Sequence, residues 1–220
     1  MTLPVREAYA QWAPHYDSET AVTRLEDLMI RGLPRPAAGA RVLDAGCGTG
    51  RRLRQLGHAR PVGIDLTFEM LAHARARWPL AAADVRALPF PGPTFDAVFC
   101  RLVLGHVAQL SQAYGELARV SRQGATIVVT DFHAAAVQAG HRRTFTGADG
   151  RTHEVEHYVH TPDDHWRAAR AAGLRLERSD NGVVGPDIRD VYAAAGKTAQ
   201  YHAQGGLPLV LLFVCRAHSS

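Results

Sequence analysis

Arg41-Val42-Leu43-Asp44-Ala45-Gly46-Cys47-Gly48-Thr49-Gly50 decides the architecture. A short apolar run ends in an acid and meets three alternating glycines, so a buried extended segment leaves through a bend that tolerates positive φ and close backbone approach. Pro61-Val62-Gly63-Ile64-Asp65 repeats the theme of an apolar strand ending in an acid. A weaker third strand is predicted at Ala81 to Val85, a fourth at Phe95 to Cys100 and a fifth at Ala125 to Thr130. Between them helices are expected at about Arg51 to Gly57, from a Thr67 cap to Trp78, and at Leu110 to Arg122. Strands alternating with helices at this spacing predict an α/β fold with a doubly wound, mostly parallel sheet, because each parallel crossover must carry a helix.

Before the glycine bend, Tyr9 to Gly32 has helical periodicity, broken at Pro14. After Asp131 the rhythm is lost for roughly thirty residues, a length that usually marks a functional segment. Order resumes at Thr161-Pro162-Asp163-Asp164, an N-cap followed by proline and first-turn acids, and Gly173 ends that helix. A strand at Leu174 to Leu176, a helical segment at Ile188 to His202 and a closing strand at Leu209 to Cys215 complete the pattern. We read residues 1–220 as one domain, with a helical lid (1–39), a cofactor-binding core (40–131), a substrate-side insertion (132–160) and the rest of the sheet (161–220).

The composition is that of an ordinary folded chain: 220 residues, 46% hydrophobic and 21% charged, with apolar surface enough for a core. The formal net charge of +4 comes from scattered arginines, so no basic stripe for nucleic acid is formed and no nucleic-acid partner is expected. No apolar run approaches the roughly 20 residues that span a bilayer, and Met1 to Asp17 lacks a leader's apolar stretch, so we expect no membrane partner and a cytoplasmic location. Cys47, Cys100 and Cys215 lie far apart, which suggests neither a disulfide framework nor a zinc site.

The glycine loop narrows the ligand. A dinucleotide fingerprint G-x-G-x-x-G would need glycine where Arg51 stands, and a phosphate loop would need a lysine that is absent. An acid with G-x-G-x-G remains. Asp65, at the tip of the second strand, can accept both hydroxyls of a ribose, and Asp84, ending the third, can accept from an exocyclic amine. These acids and glycines outline a nucleoside with a positively charged, non-phosphorylated group at its other end, which is S-adenosylmethionine.

The ordered set Val42 to Gly50, Val62-Gly63-Ile64-Asp65, Asp84-Val85 with Leu88-Pro89-Phe90, and Phe95-Asp96-Ala97-Val98 resembles the class I S-adenosylmethionine-dependent methyltransferases. The likeness is to their small-molecule group of ubiquinone and menaquinone type (methyltransferase type 11), and it spans about residues 40–131. It implies a seven-stranded Rossmann-like sheet with an N-terminal lid and an insertion after strand five. It implies further that Gly46, Gly48 and Gly50 line the methionine part, with Cys47 among the cofactor-binding residues, while Asp44 holds its ammonium through the loop or a water. Asp65 and Leu66 would lie at the ribose, Met70, Asp84 and Val85 at the adenine, and the Arg101 backbone beside the cofactor. Tyr9, Trp12 and Tyr16 resemble the aromatic lid of these enzymes. The turn before strand five reads Ser121-Arg122-Gln123-Gly124 where the family commonly has Pro-Gly-Gly.

Methyl transfer to an O, N or C atom needs alignment, exclusion of water and removal of any proton on the nucleophile. His133, after strand five, and His106, after strand four, are the candidate bases or substrate orienters, each weighed against a purely structural histidine. Tyr158 is a candidate wall of the substrate pocket. Six histidines fall between His133 and His165; His153 and His157 have a ligand-like spacing, but a substrate-facing lid is the preferred reading and no metal is assigned. The expected acceptor is a small organic molecule. The alternatives are a cofactor-binding protein that transfers no methyl, such as a cyclase or a regulatory partner, and an RNA methyltransferase; the latter lacks the [ND]-P-P-[YF] turn, since Cys100-Arg101-Leu102-Val103 stands there.

Overall fold

The computed structural model describes residues 1–56, 58–74 and 78–218. In chain order the elements are β1 (Thr2–Leu3), α1 (Val5–Trp12), α2 (Ala21–Arg31), β2 (Arg41–Ala45), β3 (Arg60–Asp65), α3 (Phe68–Ala74), β4 (Leu80–Ala82), β5 (Phe95–Arg101), α4 (Leu110–Val120), β6 (Ser121–Phe132) and α5 (Ala134–Gln138). There follow β7 (Thr144–Thr146), β8 (Thr152–Val155), α6 (Pro162–Ala171), β9 (Leu174–Val183), α7 (Arg189–Ala194), α8 (Thr198–Ala203) and β10 (Pro208–Ala217). Seven strands form one sheet in the order β4-β3-β2-β5-β6-β10-β9, parallel except that β10 runs antiparallel to both β6 and β9.

Both faces of the sheet are covered, and the central strands read as unbroken apolar runs for that reason. On one face Leu43, Val98 and Ile127 pack against Leu110, Tyr114 and Leu117 of α4 and Ala168 and Ala169 of α6. On the other, Val42, Phe99, Val128 and Leu212 meet Met29 and Ile30 of α2. Each helix keeps an apolar stripe for its own face: Leu110, Ala113, Tyr114 and Leu117 recur at the three- and four-residue spacing of α4.

Several elements depart from expectation for physical reasons. A 3-10 turn, Leu53–Leu56, stands where a helix from Arg51 was expected, because Arg51 and Arg52 reach back to acids of α2; Gly57 lies outside the described residues. The helix expected to reach Trp78 is described only over Phe68–Ala74, since residues 75–77 also lie outside. β9 runs ten residues rather than three. Its charge-rich sequence conceals an edge strand whose acids and arginines pair across and along the edge, as with Glu177 and Arg216 at 2.8 Å. Residues 188–202 hold two short helices instead of one.

The turn before β6 keeps its place without Pro-Gly-Gly. Ser121 already pairs with Phe95 and its hydroxyl donates to the Leu117 carbonyl at 2.7 Å, so residues 122–125 bulge before pairing resumes at Ala97 with Thr126.

A second sheet, β1-β8-β7, joins the chain start to the insertion after β6. Leu3, Ala8, Tyr9, Phe145, Val155 and Met70 share one buried cluster, so the N-terminal helix, the insertion and α3 pack together over the carboxyl edge of the large sheet. Among the described residues no helix is long and apolar enough to cross a membrane.

Candidate active site

The carboxyl ends of β2, β3, β4 and β5 meet under α1, the place where an open α/β sheet binds ligands. The cavity there is lined by Gly46, Gly48, Asp65, Leu66, Met70, Asp84, Val85 and Arg101 of the expected cofactor residues, by Tyr9 and Tyr16 of the lid, and by His106. Gly46 has φ +85° and a Cβ there would lie 2.1 Å from a Val103 methyl; Gly48 has φ +55° and its Cβ would crowd Met70. Side chains are therefore kept off the face of the bend that looks into the cavity.

Asp65 is the acid that faces the cavity without a cationic partner among the described residues. Its carboxylate accepts from the backbone N–H of Gly48 and of Thr67, each at 2.9 Å. Burial pushes its pKa up and those two N–H groups oppose it, with the net shift upward. Asp84 is half-buried and gripped by Arg86, the closest contact 2.6 Å, which holds its carboxyl below the usual range. Arg86 and Arg101 are each matched by an acid, which leaves Asp65 as the unbalanced charge and suits the cavity to a cation.

Asp44, expected at the ligand's ammonium, is 1% exposed and pairs with Arg101 at 3.0 Å. Glu26 of α2, fully buried, continues the network to Arg52 and, through a 3.1 Å hydrogen bond, to the Thr130 hydroxyl. Arg51 and Arg52 also approach Asp27, at 3.4 and 3.5 Å. This buried ionic cluster fastens α2 behind the glycine bend. Its signal lay in the arginine cluster after Gly50, but partners on α2 are not readable from spacing.

Two other loop residues do not line the cavity. Cys47 points to the opposite side, packed with Leu53 and Leu71, and burial raises its thiol pKa, so it is filler. Gly50, φ +71°, lets the bend close against Ala74.

The histidines take structural posts. His133, a candidate base, caps α5: its Nδ1 accepts from the Ala135 N–H at 3.1 Å, and it is not among the residues that line either cavity. His106 does line the cofactor-side cavity. Its Nδ1 faces the Glu156 carbonyl at 2.8 Å and must carry the proton, so Nε2 accepts from the Tyr9 hydroxyl at 2.9 Å. Burial and the Arg143 charge push its pKa down to about 3, which makes it a neutral holder of Tyr9 and a weak base. His141, His153, His160 and His165 bond to Gln204, Asp149, the Val107 carbonyl and Tyr114 respectively. Among the described residues no three His, Cys, Asp or Glu side chains converge as metal ligands.

Beside the first cavity lies a cleft of about 650 Å3 bounded by Trp12, Tyr16, Leu102, Phe132, Arg143 and the start of α7. Tyr16 and Leu102 line both spaces. Among the described residues Leu102 is the non-glycine residue with positive φ, +58°, just after β5. Such backbone strain clusters at functional sites, and the linear sequence carries no mark of it. Trp12 stacks on Phe145 at 5.3 Å and on Tyr9 at 5.6 Å, roofing this junction. Tyr158 instead is 37% exposed, donates to Glu156 at 3.2 Å and walls neither space.

The fold and this edge-of-sheet cavity define a doubly wound α/β protein with an acid-bearing cavity at the carboxyl edge of its sheet. Residues 43–129 match the family model described as a methyltransferase domain. The chain is 33% identical over 140 residues to malonyl-[acyl-carrier protein] O-methyltransferase of Serratia marcescens, covering 61% of this chain and 54% of that protein. It is 37% identical over 108 residues to phosphatidylethanolamine N-methyltransferase of Cereibacter sphaeroides, covering 44% and 53%. The matches thus span about half the length of these curated relatives. An S-adenosylmethionine-dependent methyltransferase structure from Mesorhizobium loti superposes with a TM-score of 0.68 at 20% identity, over 88% of this chain and 97% of that one. Over residues 43–129 the chain is thus similar to a methyltransferase domain, and its fold is that of the Mesorhizobium loti structure.

Proposed function

We propose that this chain transfers a methyl group from S-adenosylmethionine to a small organic acceptor in the cytoplasm, working as one unit over residues 1–220. The observation that carries the reading is the cavity formed by the glycine bend, Asp65, Asp84 and Val85, which shares Tyr16 and Leu102 as walls with the larger cleft. When bound, the cofactor supplies an electrophilic methyl on a sulfonium.

The residues divide the work. Gly46 and Gly48 admit the methionine part, Asp65 accepts the ribose hydroxyls on the lone pairs its backbone partners leave free, and Asp84 with the Val85 N–H reads the adenine edge over Met70. The free space on this side is about 90 Å3, less than a nucleoside needs, so Tyr9 and Tyr16 must lift with α1 for the cofactor to pass. Their return, under Trp12, excludes water and sets the acceptor in line with the methyl. The His106 ring fixes the Tyr9 hydroxyl during that closure. Regions 1–39 and 132–160 serve as the two halves of the cover, tied through β1 and β8.

Isothermal calorimetry with S-adenosylmethionine and S-adenosylhomocysteine tests the reading. Micromolar 1:1 binding, with S-adenosylhomocysteine formed when acceptor mixtures are added, is expected. Absence of binding by either nucleoside overturns it, and binding without turnover over broad acceptor mixtures would turn it toward a cofactor-dependent protein that transfers no methyl.

A further inference from the structure

Arg143, the residue before β7, sits half-buried beside Leu102 where the two spaces meet, with no ion-pair partner among the described residues and the charge of Asp131 acting on it only from a distance. Its Nη1 donates to the Tyr9 hydroxyl at 3.1 Å and to the Leu102 carbonyl at 3.2 Å. Its own carbonyl accepts from the Val155 N–H at 2.9 Å, which pins the backbone of the hairpin at this point. Among the described residues no carboxylate lies within ion-pair distance of it, whereas Asp131, the nearest buried acid at this edge, is engaged by the Phe132 N–H at 2.8 Å and by His165 at 3.3 Å.

A guanidinium has five N–H donors in a planar fork, and removing it from water without a counter-charge is costly. Two neutral oxygens satisfy one nitrogen. The Nε and Nη2 edge has no acceptor among the described residues, and Arg143 borders the 650 Å3 cleft. That edge has the geometry that takes a carboxylate in two parallel bonds.

Other cations of the cleft are differently placed. Arg24 is consumed by Glu19 at 2.7 Å and Asp190 at 3.4 Å, Arg142 leans to Glu154 at 3.9 Å, and Lys197, which also lines the cleft, is solvent-exposed. The planar fork of this half-buried guanidinium matches the two oxygens of a carboxylate. We infer that the cleft is the acceptor site and that the acceptor bears a carboxylate seated on the Arg143 fork beside Leu102. This rests on the methyltransferase reading for the word acceptor; the anion seat itself does not.

Matched probes decide it: benzoate, hexanoate and succinate against their neutral amides, titrated by calorimetry and by 1H–15N NMR into the full chain with and without S-adenosylhomocysteine. At least one carboxylate should bind about tenfold or more tightly than its amide. Arg143→Gln should reduce that carboxylate to the level of its amide, Arg143→Lys should recover part of the difference, and Arg142→Gln should leave it intact. If every carboxylate binds no better than its amide in the wild-type chain, or if Arg143→Gln keeps the preference, the seat is refuted; the wild-type comparison stands even if a variant fails to fold. Carboxylate binding through Arg143 in a chain that ignores S-adenosylhomocysteine would uphold the seat and remove the methyltransferase reading alone.

Discussion

Nη2 of Arg101 lies 3.0 Å from Oδ2 of Asp44, and both side chains are almost fully buried. An acid at the end of the first core strand thus serves the protein's own cation, which in turn forms part of the cofactor-side wall. Asp44→Asn leaves the Arg101 charge uncompensated and should destabilise the fold by about 3–5 kcal/mol, the usual cost of breaking a buried pair. Urea denaturation monitored by circular dichroism measures this, and a loss below 1 kcal/mol would show that Glu26, whose carboxylate is 3.9 Å from Arg101 Nε, suffices as counter-ion.

Asp65 is the test of cofactor recognition. Asp65→Asn keeps the size of the side chain but removes the charge, and hydrogen bonds to charged groups contribute about 1.5–3 kcal/mol. S-adenosylhomocysteine affinity should fall by roughly tenfold to a hundredfold in calorimetry. Unchanged affinity would detach Asp65 from the ribose.

The pH dependence of stability should carry the mark of His106. Its folded pKa of about 3 lies below the ordinary 6.5, so between those values the unfolded chain takes up a proton that the folded chain refuses. That contribution is complete above pH 6.5 and is lost as pH falls toward 3, by about 1.4 kcal/mol per unit. His157, pushed down to about 4 mainly by burial, acts in the same direction. Denaturation at pH 7 and pH 4.5 should show this slope and His106→Asn should flatten it; equal slopes would place the charge sensitivity in other groups.

Gly46→Ala should weaken both fold and site. The residue sits at φ +85°, and the added Cβ would lie 2.1 Å from Val103. Left-handed backbone costs an L-residue roughly 1–2 kcal/mol before any clash. A melting temperature unchanged within error, with S-adenosylhomocysteine binding intact, would mean that Val103 moves aside at no cost.

His106 and Arg143 show where reading the chain stops. An exposed-looking histidine after a strand is a reasonable base until its two nitrogens are found occupied by a tyrosine and a carbonyl 97 and 50 residues away in the chain. Arg143 stands in His141-Arg142-Arg143, where nothing in the pattern distinguishes one arginine from its neighbour. Burial alone does so.

The sequence by itself determined the parallel α/β core, the glycine bend and the acid at Asp65, because strand periodicity, the turn chemistry of Gly46 and Gly48 and the position of an acid at a strand tip are local properties. It also placed the helix at Thr161, whose cap is made within four residues. Only the tertiary structure decided that Asp44 serves Arg101, that Thr2 and Leu3 pair with Glu154 and Val155, and that Arg143 reaches the junction of two cavities. Those outcomes depend on which side chains lose water together, and desolvation is shared between segments far apart in the chain.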